Sequence, residues 1–191
     1  MGIAKAIELL NAMQADGVIG RYAIAGAVAA YNYIEPTLTE DLDVLVAFTD
    51  ASAEKVLGLV TLEPLFAYLA KQGYTEHLKE GIVIDGWQVQ FLPAASELDL
   101  EALADTGIVE LRAENGNPLV APILKPEYLV ANCLSVGRPK DLTRIAQFLA
   151  ERAVDIGTLC AVLSRHGLNS VWQEFCAKMR IGNPCSGSDQ P

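Results

Sequence analysis

Residues 23–47, AIAGAVAAYNYIEPTLTEDLDVLVA, decide the fold. The stretch opens on a short apolar strand over 22–25, turns at Gly26 and passes at once into a small-residue helix predicted over 27–34. Pro36 ends that helix, because its ring fixes φ and disfavours helical geometry in the residue before it. A polar loop leads to a second strand that starts at Asp41. Successive strand side chains point to opposite faces, so Asp41, Asp43 and Leu45 share one face and Leu42, Val44 and Val46 the other. Two carboxylates about 5 Å apart repel by roughly 1–4 kcal/mol, depending on the local dielectric. A divalent cation removes that cost. The pair is therefore either a solvated strand end or half of a magnesium site, and an isolated Asp-x-Asp is more often the former.

Outward from this stretch the pattern alternates helices and strands. Residues 3–15 carry Ile3, Ala6, Ile7, Leu10 and Met13 at helical spacing. Residues 51–60 and 61–72 read as two helices, the second with Thr61 as N-cap and Pro64 in its first turn. A hairpin follows: 82–84 and 87–92 flank Asp85-Gly86, a dipeptide suited to a tight turn with positive φ. In its second arm Trp87, Val89 and Phe91 form one apolar face, with Gln88 and Gln90 on the other. Residues 96–104 read as a short helix, and 108–112 and 119–123 as strands joined around Asn115-Gly116-Asn117. From 126 onward the pattern is helical, over 126–136, 139–153, 155–166 and 169–180. The tail from 182, GNPCSGSDQP, has too little apolar content to pack and is expected to be disordered. The predicted organisation is an α/β (α+β) part over 1–124, a helical segment over 125–180 and the tail over 181–191.

Composition narrows the classes. The chain has 191 residues, 51% of them hydrophobic, so a sizeable core is available. No apolar run reaches the 18 or so residues of a membrane helix, and the opening MGIAKAIELLNAMQ carries an acidic residue and no cleavage site. The four cysteines (Cys133, Cys160, Cys176 and Cys185) form no Cys-x-x-Cys pair. That argues against zinc and a disulfide scaffold and fits a reducing cytoplasm. A net charge of −10 disfavours duplex DNA, whose binding rests on phosphate neutralisation. His77 and His166 have no companions at metal-ligand spacing, and Trp87 and Trp172 read as packing residues.

Gly26-Ala27, a helix, and then Asp41-Leu42-Asp43-Val44 heading an apolar strand resemble the DNA-polymerase-beta-type nucleotidyltransferase superfamily. Thr39-Glu40-Asp41-Leu42-Asp43 is similar to the junction in its small bacterial members, including the abortive-infection toxin type. The resemblance spans residues 20–150. It implies a mixed sheet with helices on one face, followed by helices, and transfer of a nucleoside monophosphate from a triphosphate to a hydroxyl of a protein or RNA. Asp41 and Asp43 would hold Mg2+, which takes one or two carboxylates together with substrate phosphates. Gly26 and Ala27 would let backbone approach the triphosphate.

The resemblance also sets expectations that the chain departs from. A third carboxylate belongs on a later strand, and Gln90 stands there in Val89-Gln90-Phe91-Leu92. An amide is no base and a poor magnesium ligand. Arg138, Lys140 and Asp141 match the family's Arg-x-Lys-Asp stretch, and Lys140 and Arg144 share a helix face where such residues neighbour phosphates. Arg144 replaces an acidic residue, however, and Cys133 a lysine. A solvated face, with Asp141 paired to Lys140 or Arg144, is the plainer reading. Three possibilities follow: an active nucleotidyltransferase, a homologue that binds nucleotide or protein without turnover, and an interaction protein in which Asp41 and Asp43 have no role.

Overall fold

The structure, a computed structural model, describes residues 2–48, 55–56, 59–113 and 115–186. The chain divides into a sheet unit (Met1–Ala29 and Thr37–Leu124) and a helical unit (Ala30–Pro36 and Lys125–Pro191). The mixed α and β architecture expected from the sequence is the one observed.

The sheet unit begins with α1 (Ile3–Ala15), whose 3.6-residue apolar repeat buries Ala6, Ile7, Leu10 and Met13. Then come β1 (Tyr22–Ile24), α2 (Gly26–Ala30), β2 (Asp41–Val46), β3 (Lys55–Val56), β4 (Leu59–Val60) and α3 (Glu63–Lys71). The strands β5 (His77–Leu78), β6 (Gly81–Ile84) and β7 (Trp87–Pro93) follow, then α4 (Glu97–Ala104), β8 (Thr106–Arg112) and β9 (Pro118–Leu124). Seven strands form one sheet in the order β5-β6-β7-β2-β1-β9-β8, with β3 and β4 paired separately. The sheet is mixed: β2 runs parallel to β7 and β1 parallel to β9, while the other pairs are antiparallel.

Register sorts the side chains. Ile24 pairs with Val44 and Tyr22 with Val46, while Leu42 pairs with Val89 and Val44 with Phe91, giving one continuous apolar face. Helix α1 packs on β9 and β7. It is fixed to the apolar face by Tyr22 Oη, which donates to Asn11 Oδ1 at 2.6 Å, while Asn11 Nδ2 donates to the Val120 carbonyl at 3.0 Å. Burial drives the Tyr22 phenol pKa upward. The opposite face of β2 and β7 carries Asp41, Asp43, Gln88 and Gln90. The β6–β7 turn is the tight one its Asp85-Gly86 dipeptide predicts, with φ of +48° and +84°. Asp85 also accepts from the Gly2 N–H at 2.6 Å.

In the helical unit, α5 (Pro126–Val136) packs against α6 (Pro139–Ala150), α7 (Ile156–Arg165) and α8 (Asn169–Met179). Its core includes Tyr128, Phe148, Leu159, Leu163, Trp172 and Phe175. Residues 30–36 join this unit through α6: Gln147 Nε2 donates to the Glu35 carbonyl at 3.0 Å, and Glu35 N–H to Glu151 Oε2 at 2.9 Å. Glu127, 6% exposed, accepts from the Asp155 N–H at 2.9 Å. Asp155 caps α7 by accepting from the Thr158 N–H, which holds its pKa below the usual carboxylate value.

Several sequence expectations are corrected here. The helix after Gly26 ends at Ala30 instead of 34, the following residues forming turns. Tyr31, Asn32 and Tyr33 are weak helix formers just ahead of Pro36, so nothing in them prolongs the helix. The helix expected over 51–60 meets strand pairing at 55–56 and 59–60, since Val56, Leu59 and Val60 suit a hairpin, and its remaining residues lie outside those described. Cys160 and Cys185 form a disulfide with a Cα–Cα distance of 5.5 Å. Cysteine spacing in the chain gives no hint of this pair, because 25 positions separate its members. Within the C-terminal stretch, Trp172 Nε1 donates to Asn183 Oδ1 at 2.9 Å beside that disulfide. Residues 187–191 lie outside those described.

Candidate functional site

The acidic pair sits at the head of β2 on the face away from α1, and both side chains are half-buried. The antiparallel pairing of β1 and β2 brings the turn after β1 to Asp43: the Ala25 N–H donates to the Asp43 carbonyl at 2.8 Å. The next residue is Gly26, with φ of +59°. A Cβ there would overlap the Asp43 carboxylate. Glycine is thus required twice, once by the backbone angle and once by the side chain that lies against it. Ala27, the first residue beyond, is buried. Helix α2 has only five residues, too few for a substantial dipole.

Asp43 stands directly beside Gln90 in the parallel β2–β7 pair, and Asp41 beside Gln88. Neighbouring strands lie about 4.8 Å apart, so an acidic residue at 90 would be adjacent to Asp43. Gln90 Nε2 donates to Glu80 Oε2 at 2.8 Å. Glu80 went unnoticed in the sequence. Counting outward from the Asp85-Gly86 turn would have found it, because the pairs Trp87–Ile84 and Val89–Ile82 place Gly81 opposite Gln90 and Glu80 at the next step.

The donor set can be tested for magnesium. Asp41 and Asp43 supply two carboxylates on one face, and no group of three His, Cys, Asp or Glu among the described residues is arranged to hold a metal ion. Two carboxylates fit a magnesium shared with triphosphate oxygens, and do not fit a cage made by protein alone.

No protein-family model matches the chain, and no curated protein matches it. Among the described residues no helix is long and apolar enough to cross a membrane.

The basic residues of interest belong to the helical unit. Arg138 precedes α6 and is closed on Asp141: Nε donates to Oδ2 at 2.7 Å and Nη2 to Oδ1 at 3.2 Å, while the Arg138 N–H donates to Oδ2 at 3.2 Å. Asp141 is 1% exposed, so this is a buried helix-start clamp. It replaces the surface pairing of Asp141 with Lys140 or Arg144 read from the sequence, because the i, i+3 reach back to Arg138 also satisfies a backbone N–H. Lys140 is exposed at the first turn of α6. Arg144 lies beside Cys133. Burial pushes the Cys133 thiol up to about 11, against the Arg144 guanidinium, which pulls it down. The thiol is therefore neutral at neutral pH and supplies none of the charge a lysine would.

Away from these residues, His77 packs edge-on against Phe66 with ring centroids 5.2 Å apart. Trp87 is half-buried and lines a cavity, while Trp172 is a core residue as expected.

Proposed function

We propose that this chain is a nucleotidyltransferase-like protein that binds a nucleoside triphosphate with Mg2+ and transfers nucleoside monophosphate weakly or not at all. The observation that carries the reading is Gly26 closed against the Asp43 carboxylate, with Asp41 on the same face. A glycine turn of this kind brings backbone directly against the Asp43 carboxylate, and a phosphate chain would lie alongside the two. Asp41 and Asp43 would hold the metal, which when bound would neutralise triphosphate charge. Arg138, Lys140 and Arg144 were the phosphate-contacting candidates. Of these Arg138 is engaged with Asp141.

The acceptor in this reading is a hydroxyl of a protein or RNA, and the setting a bacterial cytoplasm, with the small toxin-type enzymes as the nearest analogy. In such a compartment the thiol pool reduces Cys160 and Cys185 unless the pair has a low potential. A second reading, a nucleotide- or protein-binding homologue without turnover, is favoured by Gln90, whose amide is engaged by Glu80 where the family analogy calls for a carboxylate.

The test is calorimetry with ATP, GTP, CTP and UTP, each with and without magnesium. At least one triphosphate should bind in a magnesium-dependent way, and Asp43→Ala should abolish it. No heat with any of the four would remove both readings.

A further inference from the structure

The seven-stranded sheet ends on β8, and its ladder to β9 shows which backbone groups of β8 are already paired. The Ala113 N–H donates to the Asn117 carbonyl at 2.9 Å, and the register continues unbroken from there to Thr106 opposite Leu124. In an antiparallel ladder every second pair exchanges both hydrogen bonds. Counted from Ala113, the bonded pairs are Leu111 with Leu119, Val109 with Ala121 and Gly107 with Ile123. Pro118 and Pro122, which have no N–H to give, fall at the alternate pairs, as this count requires. Thr106, Ile108, Glu110 and Arg112 therefore turn N–H and C=O away from β9. Among the described residues those groups have no hydrogen-bond partner.

Short length, proline and bulges ordinarily blunt such an edge, and β8 has none of them: it is seven residues long with an even register. Ile108 on this strand is 63% exposed. The other end of the sheet is β5, of only two residues. A row of alternating N–H and C=O groups is matched by another extended strand. The charges on the edge select which strand. Glu110 and Arg112 are exposed on one face, two residues apart and opposite in sign, and neither has an ion-pair partner among the described residues. Turned about a two-fold axis, Glu110-Leu111-Arg112 is its own antiparallel complement. Glu110 meets Arg112 of the second copy, Arg112 meets Glu110, and Leu111 meets Leu111. This register also pairs outward-facing backbone groups with outward-facing ones, as the hydrogen bonds need. Moving the axis by one residue sets Glu110 against Glu110, and like charges directly opposite are destabilising.

We propose that β8 joins two copies of this chain edge to edge, extending the sheet across a two-fold axis at Leu111. The ladder is short, so the dimer is weak and forms as concentration rises. The interface is separate from the triphosphate reading and stands or falls without it.

The experiment is sedimentation equilibrium on the full chain from micromolar to millimolar concentration. The wild type should pass from monomer to dimer. Glu110→Arg or Arg112→Glu alone sets like charges opposite and should weaken association about tenfold. Mixing the two variants should restore it, because each altered edge then meets its opposite. Glu110→Pro removes an N–H that β9 does not use, so it should abolish the dimer and leave the chain folded. Thermal melts establish that each variant is folded. A wild type that stays monomeric at millimolar concentration, unchanged association in the single charge variants, no recovery on mixing, or dimerisation of folded Glu110→Pro would each overturn the assignment.

Discussion

Asp43 in the sheet unit and Asp141 in the helical unit look alike in the sequence, each an acidic residue in a short motif at the head of an element. The structure uses them in opposite ways. Asp141 is 1% exposed and its charge is consumed by Arg138 three residues before it. Asp41 and Asp43 are half-buried on one sheet face, and the residue that fits Asp43 is a glycine. The difference is geometric. At a helix start, residues three apart fold back onto one another, so the motif contains its own partner. On a strand the nearest same-face neighbour is two residues away, and here it is another aspartate. A helix start can turn its own arginine onto its acid; this strand head sets two acids on one face.

The widest test of this contrast is Gln90→Asp, which adds a third carboxylate beside Asp43. If the β2–β7 face is the chemical one, transfer of labelled nucleotide should rise by about 10²-fold, the scale of a restored general base. Adding Glu80→Gln should raise it further by removing the like charge now bonded to position 90. A folded Gln90→Asp variant with no gain would count against the face as a transferase site. Next in size is Gly26→Ala. A left-handed backbone angle and the overlap with Asp43 together should cost about 2 kcal/mol in urea unfolding. The cost should shrink in an Asp43→Ala background, where most of the overlapping atoms are gone. Equal cost in both backgrounds would mean that Gly26 answers to backbone angle alone. The smallest effect is expected for Asp141→Ala, about 1 kcal/mol from the lost helix-start clamp, with no change in triphosphate affinity. A loss of affinity there would erase the distinction between the two aspartates.

Local patterns carried most of the architecture. The apolar repeat of α1, the Asp85-Gly86 hairpin, the proline-led helices α5 and α6 and the alternation along β2 are each fixed by neighbours within a few positions, and each is where the sequence placed it. Period and turn chemistry are short-range properties. Tertiary structure decided what lies far apart in the chain. Parallel pairing sets Asp43 beside Gln90 across 47 positions, and a hairpin register brings Glu80 to the same amide. The Cys160–Cys185 link also joins segments with no shared local signal. Such contacts depend on which strands neighbour and in what register, and that is settled by burying one face of the whole sheet, a condition no short stretch of sequence contains.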